Sequence, residues 1–390
     1  MHNYKKIIFA LVTILLVALI VSYNYIQHKP PVSLIKSSFS NLPHWQRDDH
    51  IAAFAAFKQS CTEITKRNPN LAFGSLKQSG KVEAWQTICN AATKITQPNN
   101  KIAREFFETW FDPYFVKSTL NNDHLFTGYY IPLLHASRQN DAQYSTPIYG
   151  LPNDLIKVNL SAFPGTNSSK IIVGQLKQNR LLPYPDRAAI NHGAISKSAP
   201  ILAWGNNSID LFFAQIQGSA FIELPNKQIQ LLSYAGTNGR PYTAIGKVLL
   251  EKNILTKAEI SMQSIRSWLE QHPEQAESIL NRNASYIFFK LSTTNDPIGN
   301  EGIPLTPQRS LAVDNSYIPL GTPIWLDTVI PNKKAANTFD PFQHLVIAQD
   351  TGGAIKGAVR GDVYWGTGDD AAFLAGHMQS PGQYWIFLPR

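Results

Sequence analysis

HLVIAQDTGGAIKGAVRGDVYWGTGDDAAFLAGHMQSPGQYWIFLPR, residues 344–390, is the stretch on which the reading of this chain turns. Apolar runs of strand length (LVIAQD, AVRGDVYWG, QYWIFLP) alternate with glycine-rich connections, the signature of short strands joined by turns. Asp350, Asp362, Asp369 and Asp370 fall in or beside those connections, together with Lys356, Arg360 and Trp365. Buried apolar strands do not need that pattern, whereas a polar cleft built from strand ends does. Just upstream, ASYIFFKL, IPLTPQRSLAVD and TPIWLDTVI have the same character. Six short strands with long crossing loops fit a compact six-stranded barrel better than a doubly wound sheet. Nothing here opens a helix with G-x-G-x-x-G, forms a P-loop or carries H-E-x-x-H.

Further outward the pattern changes twice. Residues 125–237 hold short β-prone runs: FTGYYIPLLHAS, broken at Pro132, then KIIVGQL, IDLFFAQIQGSAFIEL and KQIQLLSYAG. They point to a second, small antiparallel barrel or sandwich. Residues 241–271 return to helical periodicity, with Thr256 and Glu259 spaced as a capping box. Residues 44–117 are also helical in character. Asp49 is positioned to cap a helix whose apolar period is Ile51, Phe54 and Phe57. Further helices are expected over 79–93 and 101–110, the last stopped by Pro113.

At the amino end Lys5 and Lys6 precede IIFALVTILLVALIVSYNYI, residues 7–26. That length and the basic flank predict a membrane span with the body exported. No small-x-small cleavage site follows, so an uncleaved anchor is favoured over a removed signal peptide. No cysteine follows the apolar run, so nothing supports amino-terminal lipidation. Cys61 and Cys89 are the chain's two cysteines. In an exported protein such an even pair is expected to form one disulfide between two helices, two buried thiols being the alternative. Formal net charge is +8, yet only 16% of residues are charged. There is no long Lys/Arg block of the nucleic-acid type, and a modest positive field suits an anionic polymer.

Asp350 ends a strand, and Asp362 sits inside β-prone sequence beside Val363, Tyr364 and Trp365. Burial next to aromatic rings raises a carboxyl pKa and makes a general acid at neutral pH. An aspartate among glycines also serves simply to accept from loop amides. Hydrolysis of a glycoside uses two carboxylates, for which Asp350 and Asp362 qualify. If the sugar's own C6 hydroxyl attacks C1, one carboxyl acting first as acid and then as base suffices. Both schemes stay open at this point, as does a binding protein without catalysis. Ser219 lacks His and Asp partners in an elbow context. His344 and His377 lack metal spacing. Arg187, Arg240 and Arg309 are candidates to hold a carboxylate or backbone. Tyr129 and Tyr130 read equally as core rings or as a sugar-binding wall.

Taken together, FTGYYIP (126–132), TPIYGLPNDLI (146–156), LPYPDRAAI (182–190), LAWGNNSIDLFFAQIQGSAFIEL (202–224), YAGTNGRPYTAIGKVL (234–249), PLTPQRSLAVDNSYIPLGTPIWLD (304–327) and AQDTGGAIKGAVRGDVYWGTGDDA resemble the membrane-bound lytic murein transglycosylase A family of Gram-negative bacteria. The resemblance covers about 120–390, and its last piece looks like the family's three-aspartate domain. It implies a double-psi β-barrel domain, a second β-barrel domain inserted into it, and a deep groove between them for glycan. It implies cleavage of the β-1,4 bond between N-acetylmuramic acid and N-acetylglucosamine in peptidoglycan, leaving 1,6-anhydromuramic acid ends. The family's catalytic aspartate falls on Asp362, with Asp350 in support. Tyr129, Gln215, Gln217, Ser219, Lys356, Trp365 and Asp370 fall near the groove. No cofactor and no metal are implied, and a monomer acting on glycan strands is expected. The expected organisation is an anchor over 1–27, a tether over 28–43, a first domain from 44–140 and 285–390, and an insert over 141–284. The family's lipid-modified cysteine is missing here, so inner-membrane anchoring facing the periplasm is the expectation.

Overall fold

The computed structural model describes residues 32–118, 124–165, 170–257, 259–335 and 338–390. The fold is mixed α/β, with helices in the amino-terminal part and sheets towards the carboxyl end. After β1 (Val32–Lys36) come α1 (His50–Ile64), α2 (Val82–Lys94) and α3 (Asn100–Trp110). Asp49 caps α1 by accepting from the Ala52 N–H at 3.3 Å, and Asn99 caps α3 through the Ile102 N–H at 2.9 Å. Each cap satisfies a backbone donor that the first turn leaves free. The inward faces bury Phe54, Phe57, Trp85, Phe106 and Phe107, each contributing about 1.5–3 kcal/mol of apolar transfer. A disulfide joins Cys61 of α1 to Cys89 of α2.

The chain then runs through β2 (Phe111–Ser118), β3 (Leu125–Ile131), β4 (Leu133–Ser137), β5 (Thr146–Tyr149), β6 (Ile156–Asn159), β7 (Ile171–Lys177), β8 (Arg180–Pro183), α4 (Arg187–Asn191), β9 (Ile201–Gly205), α5 (Ser208–Gln217), β10 (Ala220–Glu223) and β11 (Ile229–Thr237). Three helices follow, α6 (Ile245–Glu251), α7 (Met262–Gln271) and α8 (Pro273–Leu280), and then β12 (Ile287–Leu291). The carboxyl part is β13 (Ser310–Ala312), β14 (Pro323–Pro331), β15 (Phe339–Asp350), β16 (Arg360–Thr367), α9 (Asp369–His377) and β17 (Gln379–Pro389).

Eight strands make the main sheet in the order β1-β2-β17-β14-β15-β13-β16-β3, and β3 also pairs with β17 at Gln379–Pro381. The largest core lies between this sheet and α1–α3, where Trp45 meets Trp325 edge-on at 5.1 Å. A six-stranded sheet, β12-β11-β10-β4-β9-β5, carries its own core, and β6-β7-β8 form a third, small sheet. Pro132 separates β3 from β4. With no N–H to give, it is a natural point for the chain to leave one sheet for another.

Several expectations change. Residues 32–43 do not act as a tether: β1 pairs antiparallel with β2, and Leu42 is buried in the main core. IDLFFAQIQ is helix, not strand. Asn207 caps it through the Ile209 N–H at 2.8 Å; on helical spacing Leu211 and Ala214 enter the core of one sheet, and Ile209, Phe212 and Phe213 pack with the helices that follow. ASYIFFKL supplies β12 to the second sheet, and the place expected for it beside β13–β17 is taken by β3. Glu259 accepts from Thr256 at 3.0 Å, but α7 begins later, capped by Ser261 and Ser264.

The expected transmembrane helix and inner-membrane anchoring are corrected as well. Among the described residues no helix is long and apolar enough to cross a membrane. A span needs about 20 apolar residues, and α1 has 15, with Lys58 and Glu63 among them. Residues 1–27, on which the anchor was expected, lie outside the described residues, and the anchor is withdrawn.

Candidate active site

Asp350 and Asp362 stand on either side of β13. Ala312 pairs with Asp350 in the parallel β15 and with Asp362 in the antiparallel β16. The register shifts at Leu311/Ala312, an irregularity that re-aims the Asp350 end of β15. On the other side of β16, Asp362 pairs with Thr127 of β3. Four neighbouring strands, β15, β13, β16 and β3, therefore bring together two carboxyls, a hydroxyl and, two residues along β3 on the same face, Tyr129.

The two carboxyls differ in what holds them. Both oxygens of Asp350 are engaged: Oδ1 accepts from the Asn300 and Thr351 N–H groups, both at 2.8 Å, and Oδ2 accepts from the Tyr129 hydroxyl at 2.9 Å. Burial pushes its pKa up, against those three bonds, which draw it down. In Asp362, Oδ1 is shielded from solvent and has no hydrogen-bond partner among the described residues. Burial pushes this carboxyl up to about 6, opposed by a hydrogen bond from Thr127 and the Arg360 charge, and assisted by the Asp350 charge. An oxygen left unsatisfied costs stability, and a carboxyl with a raised pKa in a cavity is a candidate functional group.

Both aspartates line a cavity of about 330 Å³ with Tyr129, Gln215 and Gln217. Two larger cavities, of about 930 and 990 Å³, adjoin it, and all three share Gln217 and Tyr242. The opening thus runs between the end of α5 and the strand ends of the main sheet. Gly218, at φ +85°, ends α5 in a left-handed turn that a side chain would strain. That turn puts Gln217 and Ser219 on the cavity walls.

Two family models match the chain: the MltA specific insert domain over 125–290, and the 3D domain over 309–388. The membrane-bound lytic murein transglycosylase A of Vibrio cholerae is 33% identical over 263 residues, 67% of this chain and 64% of that protein. The chain thus spans just under two thirds of the length of that relative. A solved membrane-bound lytic murein transglycosylase from Agrobacterium tumefaciens is 31% identical with a TM-score of 0.80, covering 92% of this chain and 98% of that one. Escherichia coli MltA, solved with bound chitohexaose, is 28% identical with a TM-score of 0.66, covering 92% and 95%.

The chain belongs to the membrane-bound lytic murein transglycosylase A family. Of the residues that the family resemblance singled out, Tyr129, Gln215, Gln217, Asp350 and Asp362 come together, and Ser219 lines the adjoining cavity. Within that wall Gln215 is a strut: it accepts from Arg187 and donates to the Ile287 carbonyl. Lys356, Trp365 and Asp370 do not line these cavities. Lys356 is exposed, and its charge acts on Asp314. Trp365 packs into the main core against Gly128, where a Cβ would lie 2.3 Å from its Nε1. Asp370 is exposed in the first turn of α9 and pairs with Lys333.

The arginines weighed in the sequence do hold a carboxylate or backbone, and two of them also line the cavities, Arg187 with Asp362 and Arg240 with Ser219. Arg309 grips Asp48 at 2.8 and 2.9 Å, Arg187 holds the Asn283 carbonyl at 3.0 Å, and Arg240 holds the Tyr184 carbonyl at 2.7 Å. Sequence reasoning missed Thr127, Tyr242 and Asn283 as cavity groups. Thr127 had a signal: in FTGYY it shares a strand face with Tyr129. Tyr242 and Asn283 lie in connections, and periodicity says nothing of where these point.

Proposed function

We propose that this chain is a peptidoglycan lytic transglycosylase of the cell envelope. It cleaves the β-1,4 bond between N-acetylmuramic acid and N-acetylglucosamine without water and leaves 1,6-anhydromuramic acid ends. Asp362 acts first as the acid. Its carboxyl proton passes to the leaving glycosidic oxygen as the C1–O bond breaks. The resulting carboxylate then takes the proton of the C6 hydroxyl while that oxygen bonds to C1. Attack from within the same sugar gains from proximity. The observation that carries this reading is the contrast between the aspartates: Asp362 keeps an oxygen without a partner, whereas three donors occupy Asp350. Asp350 with Tyr129 then supports the site without exchanging protons with substrate. Bound chitohexaose in the Escherichia coli relative supports a β-1,4 amino-sugar polymer as ligand.

The glycan groove, in this reading, lies between two barrels. The return of β3 to β17 supports a double-psi barrel for the strands from β13 to β17 with β3. A bridge between Gly150 and Phe289 supports a second barrel. For domains expected as 44–140 with 285–390 around an insert of 141–284, the pairings of β4 and β12 favour moving the insert edges outward to those strands.

A second reading is hydrolysis with Asp350 as partner carboxylate, favoured by the Asp350 charge reaching Asp362. Mass analysis of products released from purified peptidoglycan separates the two. Anhydro ends are expected. Reducing ends with the mass of an added water would overturn the transglycosylase reading.

A further inference from the structure

Asn283 lies in the connection from α8 to β12 and is 1% exposed. Its Oδ1 accepts from the Thr243 N–H at 3.1 Å and the Ser285 N–H at 3.2 Å. Two backbone donors on one atom fix which end of the amide is oxygen. The other end, Nδ2, is buried and has no partner among the described residues. The residue itself is held rigidly, since Arg187 donates to its carbonyl at 3.0 Å. Asn283 lines the same cavity of about 330 Å³ as Asp362. A buried amide donor left empty is costly, and a ligand oxygen arriving there recovers that cost.

The same cavity is also lined by apolar side chains, those of Ala312, Ile287 and Ile355. A cavity that offers both a donor and apolar lining matches a 2-acetamido group, whose carbonyl accepts and whose methyl needs a dry contact. A plain hydroxyl would use the donor and waste the apolar wall. We propose that Asn283 is a specificity-determining residue that binds the acetamido carbonyl of the amino sugar seated beside Asp362. This rests on the transglycosylase reading given above, and it adds a recognition role for a residue outside the proton transfer.

The test uses the full chain carrying Asp362→Asn, so that glycan binds without turnover. Affinities for chitohexaose and for cellohexaose, an uncharged β-1,4 hexamer with hydroxyl in place of acetamido, are measured by calorimetry. Asn283→Ala also removes the acceptor for Thr243 and Ser285 and is prone to misfold, so Asn283→Asp is the informative change. It keeps the acceptor and deletes the donor. The parent is expected to prefer chitohexaose, and Asn283→Asp to cut that preference by about 10- to 100-fold, the range for one lost buried hydrogen bond. An equal loss for both hexamers, or an unchanged preference, would overturn the assignment of Asn283. No binding of either hexamer by the parent would instead overturn the glycan reading and this inference with it.

Discussion

Replacing Asp362 by asparagine should remove activity and raise stability together. The amide matches the carboxyl in shape, so the packing of β16 against β13 and β3 is kept. It has no proton to give to a leaving oxygen. General acid–base catalysis contributes about 100- to 10,000-fold, and one carboxyl serving as both acid and base puts the expected loss at the upper end. The stability term follows from the same burial. Moving a carboxyl from 3.8 to about 6 means that its ionised form costs the fold about 3 kcal/mol, at roughly 1.4 kcal/mol per pH unit. The folded protein holds this proton more tightly than the unfolded chain. The cost is therefore absent below about pH 4 and grows as pH rises through about 6. Asparagine escapes it, so the variant should melt higher than wild type at pH 7 and equally at pH 3.5. In the wild type, activity should fall about tenfold per pH unit above about 6, because the acid form is the one that starts the reaction. Release of anhydro products from purified peptidoglycan reads the first effect, and thermal melts across pH read the second. A variant that releases products within tenfold of the wild-type rate, or that melts no higher at pH 7, would refute the reasoning.

Two further outcomes concern the helical cap on the main sheet. Replacing Cys61 and Cys89 by serine opens a link between residues 28 apart, and chain entropy puts the loss at about 3–4 kcal/mol, readable as a lower denaturation midpoint that reductant reproduces in the wild type. Asp48→Ala strands Arg309 in the core without its carboxylate, a loss of about 3–5 kcal/mol. Burial pushes Asp48 up, but hydrogen bonds from His344 and Arg309 outweigh it and hold the carboxyl well below its usual range. Its stabilisation is thus full above about pH 4 and disappears as pH falls further, so the variant and the wild type should converge in acid melts.

How much was legible depended on whether a signal was local. Asp49 before an apolar period marked the start of α1, because a cap and an amphipathic face are both written within one turn. Pro132 marked the break between β3 and β4 for the same reason. The stretch IDLFFAQIQ misled, since a short apolar run reads as strand or helix until its neighbours are known. Trp365 and Asp370 follow Asp362 in the same closing motif, yet one turns into the core and the other to solvent. Nearness along the chain says little about which face of a strand or helix a side chain takes.

The sequence alone determined the family, a helical amino-terminal part ahead of mainly β sequence, and the two aspartates of interest, because motifs and periodicities survive without knowledge of contacts; the mixed α/β character came with the structure. Only the tertiary structure decided how those aspartates differ. Both oxygens of Asp350 are engaged, by its neighbour Thr351 and by Tyr129 and Asn300, which reach it from distant parts of the chain. Asp362 keeps an oxygen without a partner because three strands from separate regions meet around it and bring no donor to that atom. Whether a carboxyl is spent or free depends on partners far away in sequence, and burial among them sets its proton affinity.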